Sequence, residues 1–239
     1  MLTKKIFIFE EYILKLLYEI FLGYVIIISS KFAEILYFRE KLKRRGLFMA
    51  KLYFKYGAMG SSKSAQALIA KYNYEERGMK VWLIKPKTDT RDGAEIIKSR
   101  IGLYAEAEQI GLDDSVKELF AKHEDCNVII ADESQFFAPE QIDELRDIVD
   151  EMNIPVMCFG LRTDFITKLF PGSMRLFEVA DSITEIKTIC DCGAKATVNA
   201  RMDDEGNIVT SGDQICLGGN DRYIAMCHKC WKKAIAKQK

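Results

Sequence analysis

The sequence predicts an α/β fold: a parallel sheet flanked by helices, followed by a small cysteine-bearing C-terminal domain. Three observations lead there. Short, continuous apolar runs at 51–56, 80–86, 127–131 and 154–160 alternate with longer segments of helical character. Strands that are apolar on both faces belong to parallel sheets with helices on each side. The stretch Gly57-Ala58-Met59-Gly60-Ser61-Ser62-Lys63-Ser64 lies between the first run and a helix-like Ala-Gln-Ala-Leu-Ile-Ala-Lys. After about Thr188 the texture changes to Cys, Gly and short β-like runs, which separates 49–187 from 188–239.

Residues 1–48 stand apart from both. They hold ten of the chain's 26 aromatic residues but no Asp, Asn, Gln, Pro, His, Cys or Trp. Nine Lys/Arg against five Glu give this segment a charge of +4, offset by −4 in the remainder. Its longest apolar run, Ile20 to Ile28, is nine residues, too short to span a bilayer. Glu10, Glu11, Lys15 and Glu19 interrupt any signal-peptide core. Two readings stay open. One is an amphipathic helix lying at an interface. The other, carried forward as the expectation, is that the segment is not part of the natural protein. The Phe/Ile/Lys/Tyr/Leu bias is what AT-rich non-coding DNA yields on translation. Arg44-Arg45 is encodable by a ribosome-binding AGGAGG three codons before Met49, and Met49-Ala50-Lys51 leads straight into the first strand.

From Met49 the elements follow in order. Leu52, Tyr53, Phe54 and Tyr56 mark the first strand. The helix after Ser64 is expected to end near Glu75-Glu76-Arg77-Gly78, with glycine as the stop signal. The run at 80–86 is a second strand closed by Pro86, and 117–123 reads as a short helix. A third strand, 127–131, runs into Asp132-Glu133. Pro139 opens a helix at its first position, and Ile142, Leu145 and Ile148 give it one apolar face. The fourth strand is 154–160. With 239 residues, 49% of them hydrophobic, the chain can bury a real core; Lys+Arg and Asp+Glu balance at 35 each, without the basic surplus of a sequence-blind nucleic-acid binder.

The loop 57–64 departs by one residue from the phosphate-binding pattern G-x-x-x-x-G-K-[ST]: Ser62 replaces the second glycine. The chemical parts remain. Successive backbone N–H groups and a helix N-terminus make an anion site. Lys63 adds a point charge near a transferring phosphate, and the Ser64 hydroxyl is a ligand for Mg²⁺. Serine at 62 fits if its φ stays negative. A polar turn with a chance lysine is the blander alternative, and the rest of the chain decides against it.

Asp132-Glu133-Ser134-Gln135-Phe136-Phe137 sits at the carboxyl end of a buried strand, where open α/β sheets bind ligands. Asp132 would hold Mg²⁺ directly or through water, and Glu133 would accept a proton from a nucleophile. The loop about 70 residues earlier, on what is expected to be a neighbouring strand, outweighs the reading of a merely solvated acidic strand end. Cys190, Cys192, Cys227 and Cys230 form a C-x-C…C-x₂-C set. Four thiolates satisfy tetrahedral Zn²⁺ with no open position, which makes a structural site; His228 is the alternative ligand. Without a secretory signal ahead of them, metal binding is favoured over disulfides, and a cytoplasmic location is expected. Cys126, Cys158 and Cys216 read as packing residues and His123 as a surface residue.

In order along the chain, the loop 57–64, Asp89-Thr90-Arg91, the 132–137 motif, Gly160-Leu161-Arg162-Thr163-Asp164-Phe165, the four cysteines and Gly218-Gly219-Asn220-Asp221-Arg222-Tyr223 resemble the type II thymidine kinases, over about Met49 to Trp231. The resemblance implies a P-loop, RecA-like sheet with a zinc-binding C-terminal lasso domain. It implies transfer of the γ-phosphoryl group of ATP, with Mg²⁺, to the 5′-hydroxyl of thymidine, giving thymidine monophosphate for DNA precursor synthesis. Glu133 matches the general base of that family. Lys63 and Arg91 match its phosphate-side cations, and Asp89, Thr90, Asp132, Ser134 and Gln135 lie in its ATP- and Mg²⁺-binding motifs. Met59, Phe136, Leu161 and Phe165 match the apolar walls of the thymine pocket; Gln214, Ile215, Cys216, Leu217, Gly218 and Tyr223 match the lasso. A homotetramer with dTTP as feedback inhibitor, and no nucleic-acid or membrane partner, is also implied. Two departures are Ser62 and the tight C-x-C pair. The competing reading, a nucleic-acid-stimulated ATPase with a zinc ribbon, needs a second motor domain that the chain is too short to hold. A module that binds nucleotide without chemistry is disfavoured by Lys63, Glu133 and Arg91.

Overall fold

The computed structural model describes residues 49–89, 93, 95–214 and 222–238. Six strands form the main sheet: β1 (Leu52–Tyr56), β2 (Val81–Pro86), β5 (Glu108–Ile110), β6 (Val128–Ala131), β7 (Val156–Gly160) and β8 (Ser182–Glu185). Their spatial order is β5-β2-β6-β7-β1-β8, and every pairing is parallel. Alternate residues of the central strands feed two cores, as the apolar runs require. Leu52, Phe54, Ile84, Ile129 and Val156 face one side, where α2 (Val116–Phe120), α3 (Pro139–Met152) and α4 (Pro171–Val179) contribute Val116, Phe120, Ile142, Leu145, Ile148 and Leu176. Leu83, Val128, Ile130 and Phe159 face the other, against Ala67 and Leu68 of α1 (Lys63–Glu75).

The four strands expected from sequence are all present. The edge strands β5 and β8 are additions, read as Glu-Gln-Ile and Ser-Ile-Thr-Glu without an apolar run. Short polar edges of this kind discourage pairing with another chain. Helix α2 begins one residue before the expected start, where the Ser115 hydroxyl accepts the Glu118 N–H at 3.2 Å. It ends at Phe120 because Lys122 and His123 donate three residues back, to Leu119 and Phe120. His123 does not lie loose on the surface: its ring stacks on Trp82, and both donate to or share a proton with the Glu108 carboxylate at 2.8 Å.

A hairpin of β3 (Ile96–Lys98) and β4 (Tyr104–Glu106) precedes β5. Beyond β8, β9 (Val198–Arg201) and β10 (Tyr223–Met226) pair antiparallel, and α5 (His228–Ala236) follows. No helix among the described residues is long and apolar enough to cross a membrane.

Candidate active site

The loop after β1 and the acidic motif after β6 open at the same end of the sheet, but β1 and β6 are not neighbours. β7 lies between them, contrary to the adjacency expected from sequence. The insertion works because β7 ends in Gly160. Its carbonyl accepts the Gly57 N–H at 3.2 Å. A Cβ at Gly160 would stand 2.7 Å from Ser134 Oγ and 2.8 Å from Gln135 Oε1, so no larger residue admits the motif so close.

Ser62 has φ +62° and ψ +28°, in the left-handed region, rather than the negative φ expected for it. The chain must reverse there to pass from the loop into α1, and this is the geometry that the missing glycine would adopt without strain. Left-handed backbone costs a non-glycine residue about 1–2 kcal/mol. Ser62→Gly is therefore expected to stabilise the chain by about 0.5–1 kcal/mol after the extra freedom of the unfolded state is subtracted. Thermal unfolding should show a Tm rise of about 1–4 °C.

Lys63 opens α1, is buried, and donates to the Ala58 carbonyl at 3.0 Å. The Ser64 hydroxyl lies beside Asp132 and favours its charged form. Asp132 is 2% exposed, and among the described residues its Oδ1 accepts no hydrogen bond. Burial, reinforced by Glu133, pushes its pKa up to about 7 against the pull of Ser64 and Lys63. A buried carboxylate oxygen left over beside a hydroxyl is a hard-oxygen donor set that fits Mg²⁺. A carboxyl whose folded pKa is raised binds more protons folded than unfolded between its ordinary value and about 7. Its contribution to stability therefore falls as pH rises through that window. In nucleotide-free protein, Asp132→Asn should flatten this part of the stability–pH profile, and thermal melts from pH 4 to 8 will report it.

Glu133 also has left-handed backbone, φ +50°, and leads into a 3₁₀ turn, Ser134–Phe136. Strain of this kind concentrates where a side chain must be aimed. Gln135 Nε2 donates to Glu133 Oε2 at 2.5 Å, and Gln135 Oε1 accepts the Leu161 N–H at 2.9 Å. Ser134 Oγ donates to the Phe159 carbonyl at 2.9 Å. The side chains of Ser134 and Gln135 thus brace Glu133 against the end of β7.

Asp89 is buried, 3.3 Å from the ammonium of Lys85. Lys85 is fully buried on β2 and also donates to the carbonyls of Gly93 at 3.1 Å and Ile96 at 3.0 Å, holding the base of the β3–β4 hairpin. Sequence reasoning missed Lys85. The available signal was a lysine at the end of an apolar strand, four residues ahead of Asp89. Thr90 and Arg91 lie outside the described residues.

One cleft is lined by Met59, Ser62, Lys63, Ser64, Glu133 and Leu161, together with Lys98 at the end of β3 and Arg100 in the hairpin turn. Phe136 packs edge-on against Phe170, ring centroids 5.4 Å apart. Phe165 is buried beneath the Arg201 guanidinium, 3.7 Å from its ring centroid. Gln214 donates to Asp164 Oδ2 at 2.9 Å, and the Tyr223 hydroxyl accepts from Arg201 Nε at 2.9 Å. Ile215, Cys216, Leu217 and Gly218 lie outside the described residues.

The sulfurs of Cys190, Cys192, Cys227 and Cys230 all lie within 4.8 Å of one another. Cys192 and Cys227 are 3.7 Å apart, close to the roughly 3.8 Å edge of a tetrahedron with 2.3 Å metal–sulfur bonds. Backbone N–H groups of Cys192 and Cys227 draw the Cys190 pKa down to about 7, while the neighbouring thiols push Cys230 up to about 12. The four sulfurs can all ionise together only around a cation, and the set fits zinc. His228 is outside this group; its ring lies 5.4 Å from that of Trp231.

The family model described as "Thymidine kinase" matches residues 50–231. The thymidine kinase of Yersinia pseudotuberculosis is 44% identical over 190 residues, 78% of this chain and 97% of that protein. Those of Vibrio vulnificus and phage T4 are 43% and 45% identical over 192 residues each, covering 79% of this chain and 100% and 99% of theirs. Among solved structures, the Pif1 helicase of Candida albicans aligns at a TM-score of 0.37 and 16% identity over 63% of this chain and 38% of that one, too distant to bear on function.

Proposed function

Because the chain belongs to the thymidine kinase family, we propose that it transfers the γ-phosphoryl group of ATP to the 5′-hydroxyl of thymidine. The observation that supports this most is the convergence of Lys63, Ser64 and Glu133 on one cleft, with the buried Asp132 beside Ser64. Glu133 takes the proton of the 5′-hydroxyl, whose oxygen bonds to the γ-phosphorus as the bond to the β-phosphate oxygen breaks; ADP leaves. Lys63 stabilises the charge on the transferring group, with Asp89 and Arg91 as further phosphate-side residues. Ser64 and Asp132 would hold Mg²⁺, which shields the phosphate oxygens from one another. Met59, Leu161, Phe136 and Phe165 wall the thymine pocket, and Gln214 to Gly218 with Tyr223 close it. The four cysteines hold a structural Zn²⁺.

We assign phosphoryl transfer to residues 49–187 and metal and nucleoside closure to 188–239, with 1–48 in neither. The family resemblance extends this to a cytoplasmic homotetramer inhibited by dTTP. ADP release should be measured with each of the four deoxynucleosides, with single-stranded DNA, and with ATP alone. Release with thymidine is expected, and equally for a chain beginning at Met49. Stimulation by DNA instead would favour the ATPase reading.

A further inference from the structure

All four residues of β9 are buried, yet two of them are the strongly polar Asn199 and Arg201. Two apart on a strand, they project from one face. Asn199 Oδ1 accepts the Met59 N–H at 2.8 Å, and its Nδ2 donates to the Thr163 carbonyl at 2.9 Å. Arg201 donates from Nε to the Tyr223 hydroxyl at 2.9 Å and from Nη2 to the carbonyls of Asp213 and Gln214 at 3.0 and 3.3 Å. Its guanidinium also covers the Phe165 ring. One strand therefore joins the phosphate loop at Met59, the segment 163–165, the residues at 213–214 and Tyr223. A two-stranded sheet has no structural need of this, since apolar residues would fill the same space without the cost of desolvating an amide and a guanidinium.

Resting on the proposed thymidine site, we infer that Asn199 and Arg201 are positioning residues for the nucleoside pocket. Asn199 sets the distance between Met59 and the 163–165 segment. Arg201 fixes the Phe165 ring, the Tyr223 hydroxyl and the backbone at 213–214 in one frame. The pair also gives the cysteine centre a route to the pocket: β9 follows Cys192 in sequence and pairs with β10, which runs directly into Cys227.

The test is steady-state kinetics on the full, metal-loaded chain with Asn199→Leu and Arg201→Met, which keep much of the buried volume and remove the hydrogen bonds. Losing buried hydrogen bonds should raise the KM for thymidine about 10- to 100-fold while the KM for ATP stays within about threefold. Asn199→Asp, which keeps the acceptor for Met59, and Arg201→Lys, which keeps a charged stem over Phe165, should recover part of the loss. They decide the matter if the apolar variants do not fold. A thymidine KM unchanged in the variants, or a KM for ATP that rises in step with it, would overturn the inference while leaving the activity intact. A parent chain with no thymidine-dependent ADP release would overturn the proposed function, and this inference with it.

Discussion

Glu133→Gln is expected to lower turnover by about two to four orders of magnitude, the range for losing a general base. Glutamine keeps the shape of the side chain and accepts the same backbone strain, φ +50°, that aims it into the cleft. Its amide still reaches Gln135, which holds the carboxylate at 2.5 Å in the parent. Only the capacity to take a proton is lost. The KM for ATP should therefore change little, since Lys63 and the loop backbone are untouched. Gln135→Ala provides an internal comparison: it leaves the base in place but frees it from the Leu161 N–H, and its effect should be smaller. Turnover of Glu133→Gln within a few-fold of the parent would remove Glu133 from the chemistry.

Cys227→Ser should have the largest effect on the folded state. Cys227 caps α5, accepts the Cys230 N–H at 3.4 Å and stands 3.7 Å from Cys192. Serine keeps a cap but is a poor zinc ligand at neutral pH, leaving three thiols around the ion. Structural zinc in small sites contributes on the order of 10–16 kcal/mol of binding free energy at pH 7, so even partial loss exceeds most single substitutions. Metal analysis should show one zinc per parent chain and less in the variant, with a lower melting temperature. Because β10 runs directly into Cys227, the thymidine KM is expected to rise as well. Parent protein purified without chelator and free of zinc would contradict the assignment.

The parts of this molecule that could be read from its residues are those governed by local pattern. The central strands were legible because each is apolar on both faces, and α3 because Pro139, Ile142, Leu145 and Ile148 state its start and its buried side. The cysteine centre was legible from spacing up to the choice between its fourth cysteine and His228, which the convergence of the four sulfurs decides. What could not be read depends on how the elements pack together, which no local pattern states. Strand order is one such case: nothing in 154–160 announces that it separates β1 from β6, and only Gly160, with its clearance for Ser134 and Gln135, hints at it. The backbone at Ser62 is another, because residue type sets which φ is cheap, not which φ the loop demands. Lys85 and Arg201 were missed for a common reason. A basic residue in a short strand reads as solvent-facing, yet both are buried and satisfied by backbone carbonyls of the loops that fold back over them, 8 and 11 residues on for Lys85 and 12 and 13 for Arg201.

Phosphoryl transfer to thymidine is measured most directly by following the phosphorus itself. The chain is incubated with Mg²⁺, thymidine and ATP labelled in the γ-phosphate, and the products are separated and identified. Label is expected on the 5′-oxygen of thymidine, one thymidine monophosphate for each ADP formed. Label appearing only as inorganic phosphate, at the same rate with and without thymidine, would contradict it.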